Sequence, residues 1–247
     1  MRAAIVTGVS RGLGEALAAV LLERGFLVLG VGRSTSDRLG GDAYRFVACD
    51  LSRPGAIAAA LEPSLADLAM LAPEAVTLIN NAAVAAPVGR IGRLDDAEAE
   101  AAIATNVTAP LVLADLFLRM FPDDGVRRRI INISSGAAQT ALAGSAVYGM
   151  SKAAIEMLTA SLAADHEAPG FRAIALRPGI FETGMQQFMR SHDPAQFPSV
   201  GLFRGFKEQG ILKDPAEVAA RIVATLVEGP VDHGRVYSHA DLQSPLG

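Results

Sequence analysis

One cysteine, Cys49, stands in 247 residues, so no disulfide forms within the chain and a reducing, cytoplasmic setting is expected. No histidine accompanies it locally, and it reads as a small buried hydrophobe rather than a nucleophile. Basic charge is also scarce. The formal net charge is −4, the pI is near 5.6, and no Lys/Arg cluster exceeds Arg127, Arg128 and Arg129. That offers no field for a phosphate backbone, and nucleic acid is not an expected partner. Charged residues make up 19 % against 51 % apolar, a balance that excludes disorder. No apolar run approaches the ~18 residues needed to span a bilayer. The start "MRAAIVTG" passes straight into a strand-like segment without the leader of a signal peptide, so neither membrane nor export is expected. His166, His192, His233 and His239 are scattered, lack ligand spacing with cysteine and read as surface residues, so no metal is expected.

What is present is alternation. Short β-branched runs at Ala3–Gly8, Leu27–Arg33, Tyr44–Asp50, Val76–Ala82, Arg129–Ser135, Arg172–Pro178 and Arg235–Ala240 predict strands. Between them, helices are expected near 13–24, 55–70, 95–120, 145–166 and 214–227. Strands apolar on both faces and alternating with helices predict one doubly wound α/β domain, a mostly parallel seven-stranded sheet flanked by helices. With 247 residues, one domain of residues 1–247 is expected. The departure is 181–213, about thirty residues without sheet character that hold five of the ten phenylalanines. This segment reads as a substrate-side lid of short helices, with a packing excursion or subunit contact as the alternative.

The first strand ends in "TGVSRGLGEALA", where Gly8, Gly12 and Gly14 occupy a turn that enters a helix. Glycines there allow a tight turn, let backbone N–H groups approach a diphosphate and let the helix pack on the strand. The spacing, Thr7-Gly8-x-x-x-Gly12-x-Gly14, resembles that of the short-chain dehydrogenase/reductase family. Further motifs follow in the family's order. Asp50 closes the third strand, "NNAA" spans Asn80 to Ala83 with alanine replacing the family's last glycine, and "TNV" supplies Asn106. "INISS" supplies Ser135, "YGMSK" supplies Tyr148 and Lys152, and "RPGIFET" supplies Pro178, Gly179 and Thr183.

The resemblance implies a Rossmann-type oxidoreductase that binds a nicotinamide cofactor through Gly8, Ser10, Arg11, Gly12, Leu13, Gly14, Arg33, Asp50, Leu51, Asn81, Ala82, Tyr148, Lys152, Pro178, Gly179 and Thr183. In it, Asp50 meets the adenine and Thr183 the nicotinamide carboxamide. An acid about twenty residues past the glycines would hold both ribose hydroxyls of NAD and repel a 2′-phosphate. Nineteen residues after Gly14 stands Arg33 instead, with Arg11 available from the turn. Guanidinium groups suit a phosphate, so NADP(H) is expected, while Asp37 nearby keeps NAD(H) open and a solvated surface charge is the plainer reading of Arg33.

Tyr148 and Lys152 are four residues apart, one turn on one face of a helix. A carbonyl that accepts hydride becomes an alkoxide and needs a proton, and a cation one turn away lowers a phenol pKa toward use. Tyr148 is therefore expected as general acid or base, with Lys152 shifting its acidity. Ser135, at the carboxyl end of its strand and thirteen residues before Tyr148, would hold the substrate oxygen. Neighbouring Ser134 competes for that role, and the family spacing selects Ser135. By the same resemblance, Asn106 holds a water that relays protons to Lys152. Singly, each of these residues reads as core, surface or turn cap. Jointly, on a nucleotide-binding fold, they read as catalytic.

The C-terminal third looks most like the sepiapterin reductase and benzil reductase branch, which implies a ketone, vicinal dicarbonyl or pterin side chain as substrate. Phe181, Met185, Phe188, Met189, Phe203 and Phe206 would wall a flat carbonyl, or else form the lid's own core. A cofactor-binding regulator or scaffold on the same fold is the rival, and a Rossmann-type methyltransferase a weaker one. A homodimer or homotetramer is expected, because Ala-rich surfaces on the 95–120 and Tyr148 helices suit close pairing.

Overall fold

The apolar runs fold as the seven strands of one sheet: β1 (Arg2–Thr7), β2 (Leu27–Gly32), β3 (Tyr44–Ala48), β4 (Ala75–Asn80), β5 (Arg127–Ile133), β6 (Phe171–Arg177) and β7 (Val236–Ser238). The computed structural model describes residues 1–122 and 125–242. Every pairing is parallel, in the order β3-β2-β1-β4-β5-β6-β7. The sheet is thus wholly rather than mostly parallel, and the strand order reverses between β1 and β4. Ligands of such sheets bind in the crevice at that switch point, beyond the carboxyl ends of the strands.

The helices are α1 (Gly12–Glu23), α2 (Ile57–Met70), α3 (Asp96–Ile103), α4 (Ala109–Met120), α5 (Ala146–Asp165), α6 (Gly184–Arg190), α7 (Val200–Glu208) and α8 (Pro215–Ile222). Alternation along each strand divides the core into two layers. Val6, Ile79, Ile131 and Ile174 meet Leu17, Leu21 and Ile222 on the α1/α8 side. Ile5, Leu78 and Ile130 meet Leu61, Leu113 and Phe117 on the α2/α4 side. Because both faces are covered, the strands carry apolar side chains in both directions.

Two expectations change. Among the described residues, the continuous helix Asp96–Met120 is long and apolar enough to cross a membrane by length and composition. Thr105, Asn106, Thr108 and Asp115 interrupt the run of apolar letters, yet the average over the segment stays apolar. Its Ala109, Leu113, Leu116 and Phe117 are buried in the α2/α4 layer, as in a core helix. Among the histidines, His166 is exposed as expected, but His233 is half-buried and bonded. His233 accepts from Ala173 N–H at 3.0 Å and shares a hydrogen bond with the His166 carbonyl, and both rings pack edge-on against Phe171. Two of the clustered arginines are drawn inward: Arg128 is buried, and Arg129 donates to the carbonyls of Leu226, Val227 and Gly229, in and just past the π-helical turn (Val223–Val227) that follows α8, while Arg127 is exposed.

Candidate active site

The glycine turn is fixed by the residues that follow β4. Thr7 Oγ1 accepts from the backbone N–H groups of Asn81 and Ala82 at 3.0 and 2.9 Å, and Asn81 Nδ2 donates to the Thr7 carbonyl at 2.9 Å. Gly12 has φ +64, in the left-handed region. Gly14 is required for closeness instead: a Cβ there would lie 2.2 Å from the Gly8 carbonyl oxygen and 2.4 Å from Asn81 Nδ2. No side chain caps the N-terminus of α1, so the first N–H groups of a twelve-residue helix are presented at the turn without a side-chain acceptor. That is the donor set a diphosphate requires, and the residues present fit a dinucleotide.

Around this turn, Ser10, Arg11, Arg33 and Asp50 are exposed, whereas Leu13 and Leu51 are buried and face the core. Leu13 and Leu51 therefore offer a ligand backbone rather than side chain. The Asp50 carboxylate accepts from Ser52 N–H and Oγ at 3.1 and 2.8 Å; these bonds, with the nearby Arg33 charge, hold its pKa down. Arg33 makes no hydrogen bond or ion pair among the described residues. On the far side, a Cβ on Gly12 would touch Thr183 Cγ2, and Gly184 lies beside the Arg11 guanidinium. The turn and the start of α6 thus close on one another. Thr183 itself caps α6, accepting from Gln186 N–H at 3.4 Å.

The catalytic candidates gather at the carboxyl end of β5. Ser134 and Ser135 directly follow β5 and meet different residues of α5. Ser134 is buried and donates to Glu156 Oε1 at 2.6 Å, which leaves Ser135 to the site. Ser135 Oγ accepts from Ala137 N–H at 3.2 Å, so its own hydrogen is free to be donated. Tyr148 and Lys152 share one face of α5. Lys152 is 3 % exposed; its Nζ donates to the Ile133 carbonyl at 2.7 Å and lies 5.6 Å from the Tyr148 ring centroid.

Burial pushes the Lys152 ammonium down to about 8. Burial also raises the Tyr148 phenol above its ordinary value, while its hydrogen bond with Ser135 acts in the opposite direction. The expected lowering by Lys152 is not among the causes that act on the phenol, which are burial and Ser135.

Asn106 sits, fully buried, in a π-helical turn (Ala104–Thr108) between α3 and α4. Its side chain accepts from Val84 N–H at 2.9 Å and donates to the Val84 carbonyl at 2.8 Å and to Ser151 Oγ at 3.1 Å. Those bonds tie the segment after β4 to α5. With its side chain committed to those bonds, Asn106 would hold a water through its backbone carbonyl.

The lid holds α6 and α7, and its wall differs from the expected one. Met189, Phe197, Val200 and Phe203 are buried with Ala85 and Val88, forming the lid's own core. Met185, Phe206, Leu142 and the Tyr148 ring pack at its margin, half-buried. Phe181 joins the α1/α8 layer instead, and Phe188 is 38 % exposed. Ala85, Val88 and Leu142 could not be found by reading the lid alone, since they come from two other loops. Among the described residues, no three His, Cys, Asp or Glu side chains gather as a metal site.

Comparisons with known proteins agree with this fold. The family model described as short chain dehydrogenase matches residues 2–194. A benzil reductase ((S)-benzoin forming) of Bacillus subtilis (strain 168) is 31 % identical over 236 residues, covering 94 % of this chain and 96 % of that protein. A sepiapterin reductase of Bos taurus is 32 % identical over 264 residues, covering 93 % and 91 %. The crystal structure of the KRED1-Pglu enzyme superposes with a TM-score of 0.82 at 27 % identity, covering 96 % of this chain and 100 % of that one.

Proposed function

The chain belongs to the short-chain dehydrogenase family, and on that premise we propose that it reduces a carbonyl compound with NADPH. The observation that carries this reading is the arrangement at β5. There Ser135 adjoins the Tyr148 phenol and opposes the rise in its pKa, a buried Lys152 ammonium lies 5.6 Å from the ring centroid, and the ring packs against the core of the lid.

When bound, the cofactor supplies the hydride. The backbone N–H groups at Gly8 to Gly14 would hold its diphosphate, Asp50, Leu51, Asn81 and Ala82 its adenosine half, and Pro178, Gly179 and Thr183 its nicotinamide. Ser135 donates its hydroxyl hydrogen to the substrate oxygen, where negative charge develops, and Tyr148 passes its proton to that same oxygen. Lys152 stabilises the phenolate left behind. In the oxidative direction Tyr148 takes the proton back.

The exposed guanidinium groups of Arg11 and Arg33 support a 2′-phosphate, and so NADPH over NADH. The margin formed by Met185, Phe206 and Leu142 suits an apolar or aromatic ketone or vicinal dicarbonyl, in keeping with the activity for which the Bacillus subtilis relative is named. Initial rates on a ketone and dicarbonyl panel test both points. NADPH is expected to exceed NADH, and Arg33→Ala to cut kcat/KM for NADPH about tenfold, the weight of one charge-assisted hydrogen bond. A preference for NADH overturns the cofactor reading. Binding of NADPH without turnover on any carbonyl favours the regulator instead. Exposed Leu111, Met150 and Met157 on α4 and α5 support a homodimer or homotetramer, which light scattering reads directly.

A further inference from the structure

One half-buried charge beside the site has no part in the chemistry above. Glu156 lies one helical turn past Lys152, so Tyr148, Lys152 and Glu156 form a single stripe along α5. Its carboxylate accepts three hydrogen bonds: from Ser134 Oγ at 2.6 Å, Arg177 Nε at 2.7 Å and Arg177 Nη2 at 2.6 Å. The Glu156 and Arg177 side chains are only 16 % and 20 % exposed.

We propose that Glu156 is a positioning residue, setting the catalytic face of α5 against the ends of β5 and β6 through Ser134 and Arg177. The inference rests on the reading of Tyr148 and Ser135 as reacting groups. Each partner adjoins a functional residue in the chain: Ser134 precedes Ser135, and Arg177 precedes Pro178 and Gly179. A two-pronged guanidinium–carboxylate pair fixes rotation as well as distance, which a single contact does not. The Ser134 hydroxyl has one hydrogen, and the Glu156 oxygen at 2.6 Å is a better acceptor than the Lys152 carbonyl at 3.4 Å. That bond commits the Ser134 hydroxyl to Glu156 and leaves Ser135 as the serine beside the phenol. Desolvation offsets much of what a buried ion pair contributes to stability, so the benefit of this network lies in geometry.

The test uses the full chain with 13Cζ-labelled tyrosine. The three tyrosines are Tyr44, Tyr148 and Tyr237, and Tyr148 is assigned by its loss in Tyr148→Phe. Glu156→Gln and Ser134→Ala are each expected to move the Tyr148 resonance toward its position in Ser135→Ala, leaving Tyr44 and Tyr237 in place. In carbonyl reduction, each lowers kcat about tenfold through misalignment while KM and NADPH affinity stay near wild type. Acting through one path, the double variant falls no further than Glu156→Gln alone. An unmoved Tyr148 resonance in both variants, or kcat losses that multiply, overturns the proposal. Ser134→Ala removes a single oxygen and carries the test if Glu156→Gln does not fold. If the wild-type chain reduces no carbonyl, the functional reading fails, yet the resonance still decides the positioning role.

Discussion

The glycine turn and the lid border the same crevice and are built by opposite means. The turn is held by directional polar tethers: Thr7 Oγ1 accepts two backbone N–H groups, and Asn81 donates back to the Thr7 carbonyl. The lid is held by packing, with Phe197 and Phe203 tilted together at 5.5 Å inside a cluster that draws Ala85 and Val88 from another loop. Its neck is a short parallel bridge, Glu182 N–H to the Lys213 carbonyl at 3.1 Å and Lys213 N–H to the Ile180 carbonyl at 3.3 Å. Directional tethers tolerate few residue types, whereas an apolar cluster tolerates many of similar volume. One half of the site is therefore specified position by position, and the other by amount of apolar surface.

Tyr148 also joins a polar to a packed region, with its hydroxyl beside Ser135 and its ring at the lid margin. Tyr148→Phe separates the two contributions by removing only the oxygen. Turnover is expected to fall about 10³-fold, the scale of a lost general acid. The thermal midpoint and NADPH affinity are expected to stay close to wild type. A variant that kept wild-type carbonyl reduction would remove Tyr148 from the chemistry. Phe197→Ala attacks the packed half alone. Deleting this fully buried ring should cost about 3–5 kcal/mol. Because the lid joins the sheet through a narrow neck, that loss should appear as rapid hydrogen exchange over residues 184–208 and a raised substrate KM. Protection in α1 and the central strands should persist, and its simultaneous loss would mean that lid and sheet unfold as one unit.

The same contrast explains what could be read before the fold was known. Strands with apolar side chains on both faces have only one way to be covered, so seven parallel strands and their helices follow from periodicity. Gly8, Gly12 and Gly14 were legible because backbone conformation and a 2.2 Å approach leave no alternative residue. Tyr148 and Lys152 were legible because helical spacing alone brings them together. That spacing also reaches Glu156, but its partners Ser134 and Arg177 come from two other strands, and no local pattern joins them. Phe181 and Phe188 were misplaced in the lid wall for a related reason: apolarity identifies a cluster's members without saying which side each one faces. Asn106 was legible as a site residue, but its bond to the Val84 backbone depends on a loop path that composition does not encode.

A smaller effect tests how far the polar half relies on burial. Lys152 is held at about 8 in the folded chain by desolvation, well below the ordinary lysine value of about 10.4. Below pH 8 the folded and unfolded chains both hold the proton, and the folded state bears the full cost of a buried ammonium. As pH rises from about 8 toward about 10, the folded chain has released that proton while the unfolded chain still binds it. Stability then gains up to about 1.4 kcal/mol per pH unit from this residue. Lys152→Met lacks the titration and keeps the buried alkyl volume. The stability advantage of Lys152→Met over wild type should therefore be largest near neutrality and shrink across that window. Urea unfolding of both proteins at pH 7.5, 8.5 and 9.5 reads the difference directly, since every other titrating group is common to the pair. A difference that stays constant with pH would mean that Lys152 remains charged throughout. The Ile133 carbonyl at 2.7 Å would then offset its desolvation, and the polar half would owe its geometry to paired donors and acceptors alone.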